Sequence, residues 1–273
     1  VKDFGAIIRK PKPIFIFLLT TYIITPCIMT GLANLLFHGN GDVITGFVLL
    51  YAIPTAVVGC IWSSIYSGNN ALSLTLIVIG TMLAPISVPL TVRVLASSHI
   101  EFDTSGMMLS LIYMVVIPSA VGILINAITK GHCMDHAVPV LKPFTKIGLL
   151  FVVIINTSQI AEDLIASASV AYIPQALAAF CFTVLGFIIS RTIARLARLD
   201  QANTVSVTFA SSMKNISAAM VLAIQFFPPA SLIPIISGIV LQQTTTAISA
   251  HFLFGNKPDK NIMENTQGKG DVI

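Results

Sequence analysis

Charge is scarce in this 273-residue chain: Asp, Glu, Lys and Arg make up only 10% of it, against about 25% in a soluble domain. With 55% hydrophobic residues and a mean hydropathy of +0.91, a soluble fold is excluded. Strict apolar–polar alternation is missing too, so the long apolar runs exclude a β-barrel. Cysteine is limited to Cys27, Cys60, Cys133 and Cys181, without paired spacing. Three of them lie in apolar segments, where cysteine acts as a small packing residue. The single tryptophan, Trp62, lies near the end of an apolar run, where its ring suits a membrane interface. No signal-peptide pattern opens the chain, since Val1–Lys12 is charged. No cluster of acid, base and nucleophile falls at membrane depth, so neither an enzyme nor a cofactor is expected. The net charge of +4 resides at the ends of apolar runs and gives no reason to invoke nucleic acid.

What is present is a series of apolar runs, each about 20 residues long, the length that crosses a bilayer as a helix. They predict eight spans, at 13–37, 43–66, 70–97, 107–129, 143–161, 170–196, 202–227 and 230–254. The charges between them alternate. Lys2, Arg9, Lys10 and Lys12 share one side with Lys130, Lys142, Lys146, Arg191, Arg195, Arg198, Lys257, Lys260 and Lys269. The other side holds Asp42, Glu101, Asp103, Glu162 and Asp163, with Arg93 its one basic residue. The basic side is expected to be cytoplasmic, with both termini on it, in the inner membrane of a cell. The tail from 255 to 273, rich in Gly, Asn and Lys, is expected to be disordered.

Two spans are interrupted. In 43–66, Pro54 and Gly59 flank Thr55; in 202–227, the polar run Ser211, Ser212, Met213, Lys214 and Asn215 lies mid-membrane and Pro228-Pro229 closes the segment. Each is preceded by a helix with one proline (Pro26, Pro174) and followed by a proline-bearing helix (Pro85 and Pro89, then Pro234). A three-helix pattern therefore occurs twice, at 13–97 and 162–254, with two helices in 98–161 that invert the second copy. Paired broken helices in corresponding positions point to a transport site, because unwound backbone survives at that depth only against protein or a water-filled cavity. Lys214 sharpens the point. A lysine at mid-membrane costs roughly 2.5–3.5 kcal/mol to insert and faces a cavity or a partner. No neighbouring apolar segment supplies a carboxylate for it.

The stretch Ile53-Pro54-Thr55-Ala56-Val57-Val58-Gly59-Cys60, then Ser67-Gly68-Asn69-Asn70-Ala71-Leu72-Ser73 and Leu83-Ala84-Pro85, resembles the bile acid:sodium symporter family. That family carries Pro-Gly-Gly-Thr-x-Ser-Asn followed by Gly-Asn-x-Ala-Leu-Ser. Its second motif, Glu-x-Gly-Met-Gln-Asn, aligns with Ala210-Ser211-Ser212-Met213-Lys214-Asn215. The resemblance extends over residues 1–254. It implies an all-α polytopic membrane protein with an inverted-repeat transporter fold: two crossing broken helices in a core domain, and a panel domain that moves against it. The family has ten helices, and this chain opens where the third would be introduced. The expectation is that translation upstream of the gene adds two apolar segments.

The departures bear on mechanism. In the family, sodium is held by side-chain oxygens at the two breaks. Here the resemblance puts Gly59 and Cys60 at the serine and asparagine of the first break, and Ala210 and Lys214 at the glutamate and glutamine of the second. Ser73 is retained, a threonine becomes Ile77, and the glutamine of the first core helix aligns with Thr21. Sodium needs several hard oxygen ligands, so sodium coupling is not expected. In its place the Lys214 ammonium would occupy the position of the ion and donate to carbonyls near Pro54–Gly59. If fixed in the charged form, it gives uniport or exchange of an anion. If desolvation can neutralise it, it gives proton coupling. The expected substrate is a small organic anion, held by the open amides at half-helix N-termini and by Asn215. Thr55, Ala56 and Val57 alter the family's cradle, so its substrate is not carried over. A non-transporting receptor is the alternative.

Three features are set aside. His132-Cys133-Met134-Asp135-His136 offers zinc-type donors, but its spacing matches no closed site and loop polarity accounts for it, so no metal is expected. The polar patch Asn156-Thr157-Ser158-Gln159 reads as helix–helix hydrogen bonding, with substrate contact the sharper alternative. Gln242, Gln243 and Thr244–Thr246 read as contacts of the last helix with the core.

Overall fold

The computed structural model describes residues 11–96, 101–129 and 172–255, with isolated positions between 140 and 151. Among the described residues the chain is helical and has no strand. Helix α1 spans Lys12–Leu36, α2 Gly41–Ala52, α3 Val58–Ile65 and α4 Asn70–Ala96. Helix α5 runs from Thr104–Leu111 through a π-turn to Ile117–Ile128. The remaining helices are α6 (Ile173–Leu196), α7 (Gln201–Ser212), α8 (Ile216–Phe226) and α9 (Leu232–Phe254, after a 3-10 turn at Pro229–Ser231). Among the described residues, five helical stretches are long and apolar enough to cross a membrane: Lys12–Leu36, Asn70–Ala96, Thr104–Ile125, Ile173–Leu196 and Pro229–Phe254. The protein is an all-α polytopic membrane protein. The predicted span at 143–161, the His132–His136 loop, the 156–159 patch, residues 1–10 and the tail after Gly255 lie outside the described residues.

Local chemistry explains the helix ends. Asn40 caps α2 by accepting from the Val43 N–H at 3.3 Å. Asp103 caps α5 (Gly106 N–H, 2.9 Å), and Asp200 caps α7 (Asn203 N–H, 2.9 Å). Each side-chain oxygen satisfies an amide that the first helical turn leaves open. Pro26 and Pro118 sit early in helical segments that continue an existing helix. A proline there clashes with the carbonyl four residues back. In both cases a π-turn lies immediately upstream, at Thr20–Ile24 and Ile112–Val116. The Thr25 N–H reaches back to Thr20 O and the Ile117 N–H to Ile112 O. The wider turn moves the carbonyl aside and keeps the helix unbroken. Pro85 and Pro89 lie inside α4, which also continues through them.

The triplets α1–α4 and α6–α9 share one plan: a long helix, a helix in two halves, a long helix. The halves interlock, with α3 packing on α7 and α2 on α8. The first half of each broken helix thus lies beside the second half of the other, as antiparallel crossing requires. Around them, α6 packs along α9 and α7, and α4 along α2. The main core lies between α2, α6, α8 and α9, with Phe47 tilted on Phe182 (5.1 Å between ring centroids) and Leu50, Ile216, Ala219 and Ile235 buried beside them. Gly46 is required there, because a Cβ would overlap the Ser231 carbonyl where the 3-10 turn crosses α2. Outward faces stay apolar, as at Leu35, Ile86, Val94, Leu124, Leu196 and Phe252, which is the surface a bilayer solvates.

Candidate functional site

The two interruptions meet at one point. Pro54 donates no hydrogen bond and holds its predecessor extended; Ile53 has φ −62° and ψ 148°, and α2 stops at Ala52. In the second interruption Met213 leaves helical geometry (φ −85°, ψ 115°), and Asn215 starts α8 by accepting from the Ala218 N–H at 3.4 Å. The unwound segments run antiparallel. The Ala56 N–H donates to Met213 O and the Asn215 N–H to Pro54 O, both at 2.9 Å, which sets Thr55 opposite Lys214. The Thr55 hydroxyl donates to Ala210 O at 2.6 Å, a carbonyl in the last turn of α7 with no helical amide to accept. The Lys214 N–H donates to Gln242 Oε1 on α9 at 3.3 Å. Unwound backbone at this depth is thus satisfied by protein.

The Lys214 side chain is 2% exposed, and its Nζ has no hydrogen-bond partner among the described residues. It does not donate to carbonyls of the first break, as the sequence suggested. There Pro54 O accepts from the Asn215 N–H, Ala56 O from the Gly59 N–H and Val57 O from the Cys60 N–H. The crossing is thus held by the main chain of Met213 and Asn215 on either side of Lys214, while the Lys214 amine is left over.

The level of α1 relative to the crossing follows from two contacts. Lys12 and Pro13 share a cavity with Arg198, Asp200 and Asn203, and Phe17 packs with Val207 and Ala210. The two helices run parallel and in step, so the next turn sets Thr20 and Thr21 level with Ser211. Thr20, Thr21 and Ser211 are fully buried, and their hydroxyls have no partner among the described residues. The Ser212 hydroxyl instead donates to Ser190 Oγ on α6 at 3.1 Å. The two serines ahead of the second break thus differ, Ser212 bonded and Ser211 without a partner among the described residues.

Ser73 belongs to a separate network. Its hydroxyl donates to Ser63 Oγ at 2.9 Å, Ser63 and Ser206 Oγ lie 3.2 Å apart, and Ser206 donates to Asn69 O at 3.0 Å. The Asn69 amide reaches Asn203 Oδ1 at 3.0 Å, and its oxygen caps α4 at the Leu72 N–H. Gly68 makes this possible, because a Cβ would overlap Ser63 Oγ. Ser63, Ser206, Asn69, Ser190 and Gln242 were not singled out among the site residues; Gly68 between two polar runs was the available signal. Gly59 packs against Phe209 and Met213, and with Cys60, Ile77 and Ala210 it offers no side-chain oxygen. No group of three or more His, Cys, Asp or Glu gathers among the described residues.

Asn215 faces the other way. With Ser217, Met114, Val115, Pro118 and Ser119 it lines an open cavity of about 340 Å3 between α8 and α5, at the N-terminal end of a half-helix. Lys214 does not line it. The expected site residues thus divide: Asn215 at an open cavity, and Thr21, Thr55, Ser211, Ser212, Met213 and Lys214 behind it in the interior. Trp62 donates its indole N–H to Gln243 Oε1 at 3.1 Å.

Residues 1–168 match the Sodium Bile acid symporter family. The chain is 35% identical over 246 residues to "Uncharacterized protein YbaS" of Bacillus subtilis, covering 90% of this chain and 80% of that protein. It is 24% identical to "Uncharacterized sodium-dependent transporter YocS" of the same organism, over 85% of this chain and 70% of the relative. It is 27% identical to "Probable sodium/metabolite cotransporter BASS1, chloroplastic" of Arabidopsis thaliana, over 82% of this chain and 55% of the relative, so it spans about half the length of that plant protein.

Proposed function

As the chain belongs to the Sodium Bile acid symporter family, we propose that it moves a small organic anion by alternating access, with the Lys214 amine in place of a bound cation. The observation that carries this reading is a buried amine at the crossing with no protein partner among the described residues. Family membership gives the coarse class, a multi-pass membrane protein of a transporter family. The names of two relatives attach sodium to them. In this chain four aligned donors are replaced by Gly59, Cys60, Ile77 and Ala210, and the retained Ser73 spends its hydroxyl on Ser63. A hard cation with so few oxygens is poorly held, and a neighbouring ammonium repels it.

The substrate site in this reading is the cavity beside Asn215. Its amide stands at the N-terminal end of α8, where open amides and the helix dipole favour an anion. Panel-type movement of α5 against α8 would open and close that cavity; this gives the expected division into core (13–97, 162–254) and panel (98–161) its role. Lys214 lies one residue back in the chain and sets the charge of the half-helix end, and its protonation would link transport to protons.

The test is uptake of radiolabelled carboxylates and sulfates into proteoliposomes, with sodium and pH gradients imposed separately. Uptake that ignores sodium and follows the pH gradient, or exchanges substrate without either, supports the reading. Strict sodium dependence retained in Lys214→Gln overturns it.

A further inference from the structure

We propose that the cleft between the start of α1 and the loop from α6 to α7 binds the phosphate of an anionic phospholipid, on the membrane face that the charge pattern makes cytoplasmic. The cleft holds about 390 Å3, toward the lower end of the volumes that enclose a small ligand group. Lys12 and Arg198 line it from distant parts of the chain, and neither forms an ion pair among the described residues. Asp200 is the carboxylate of the described lining, and it is turned to α7. One of its oxygens accepts from the Asn203 N–H at 2.9 Å and the other from the Asn203 side-chain amide. Asn203 Oδ1 in turn accepts from Asn69 Nδ2 at 3.0 Å. The carboxylate is thereby spent inside the protein, while the two cations have no such partner. Arg195, exposed in the last turn of α6, adds a further positive charge on that side.

The backbone under the two cations supports a use for their side chains. Arg198 has φ 53°, in the left-handed region that favours glycine. It closes α6: the Leu199 N–H donates to Ala194 O at 3.1 Å and the Arg198 N–H to Arg195 O at 2.8 Å. Glycine is the usual residue at that place in such a closure. An arginine held there against its backbone preference marks a side chain in use rather than a turn alone. Lys12 stands between Pro11 and Pro13, whose rings restrict the chain on both sides of it. The neighbours indicate which anion fits. Phe15 is 63% and Leu196 78% exposed. They lie three residues beyond Lys12 and two before Arg198, toward the membrane interior on both helices. The cleft thus sits where apolar, lipid-facing surface begins, with the cations at headgroup level. Free phosphate has no use for that flank, whereas a phospholipid has acyl chains to lay on it. Long basic side chains at helix ends reach the interface, and basic pockets between spanning helices on the cytoplasmic side hold anionic headgroups. A lipid bound here would tie α1 to α7, which pack on each other. The site is independent of what the chain transports.

The test titrates full-length protein in detergent with phosphatidylglycerol, phosphatidylcholine or inorganic phosphate. Bound lipid is counted by native mass spectrometry, and the melting temperature is read in parallel. Phosphatidylglycerol is expected to bind roughly tenfold more tightly than phosphatidylcholine and to raise the melting temperature; equal binding of the two overturns the site. Inorganic phosphate that displaces phosphatidylglycerol at equal concentration overturns the assignment to a lipid. Lys12→Gln and Arg198→Gln are each expected to weaken phosphatidylglycerol binding about fivefold, and the pair roughly twenty-fivefold, at about 1 kcal/mol per basic residue near a membrane surface. Arg93→Gln, exposed near the far end of α4, is expected to leave it unchanged. An equal loss in Arg93→Gln, or no loss in the pair, overturns the proposal. Arg198→Gly separates charge from backbone. Freed of the left-handed strain, it is expected to melt no lower than native protein without lipid and still to lose the fivefold. Native phosphatidylglycerol affinity in Arg198→Gly means that the arginine serves only the turn, and overturns the proposal.

Discussion

The interruptions at Pro54–Val57 and Met213–Asn215 occupy the same place in their triplets but leave different remainders. At the first, every carbonyl from Pro54 to Val57 except that of Thr55 accepts from a backbone amide, and the one hydroxyl, Thr55, is bonded to Ala210 O. At the second, the main chain is equally well served, yet an amine and the Ser211 hydroxyl are buried without partners among the described residues. The first break closes on itself, and the second keeps polar side chains without partners among the described residues. A repeated architecture supplies two openings of similar shape, and the side chains decide which one carries charge.

The largest test of that contrast is Lys214→Met. Removing an unpaired buried amine relieves a desolvation cost, so the melting temperature in detergent is expected to rise by roughly 2–4 °C for each kcal/mol recovered, while uptake is lost. A fall in melting temperature would mean that the amine is itself a structural tie. Next comes Gly68→Ala. Its methyl overlaps Ser63 Oγ and pushes α3 and α4 away from α7, at about 1–3 kcal/mol, read as a lower midpoint in thermal unfolding. Thr55→Val should be milder. It leaves Ala210 O without its donor, a loss of about 1–2 kcal/mol. The expectation is a less stable protein whose ion dependence is unchanged, since Thr55 belongs to the first break. The smallest effect falls on Asn215→Ala, about 1 kcal/mol through the lost cap. If Asn215 also touches substrate, the half-saturating concentration for uptake rises by more than stability falls.

The breaks were legible because their causes are local. Proline 54 has no N–H to give, and a polar run inside an apolar segment cannot be lipid-facing. The long apolar helices and the matching Gly-Asn-x-Ala-Leu-Ser pattern were equally direct. The fate of the Lys214 amine was not legible, because it depends on how the two breaks sit against each other, as where the Asn215 N–H meets Pro54 O across distant parts of the chain. The Ser63–Ser206 contact joins residues 143 apart in sequence and leaves no trace except a glycine. The π-turns were invisible as well. Pro26 and Pro118 announce a disturbance in a helix, but whether it resolves as a kink, a break or one wider turn is decided by packing.

Pro26 and the wide turn before it are a matched pair. Each π-turn holds about one residue more than an α-helical turn, and one residue is about 100° of rotation. If Pro26 were replaced by a residue that lets the helix rewind, everything from Lys12 to Leu19 would swivel about the helix axis. Phe17 would leave Val207, and Thr20 and Thr21 would no longer both point inward. A single ring fourteen residues from the helix start at Lys12 therefore acts as an alignment pin, and it fixes which side chains of α1 the crossing is allowed to see.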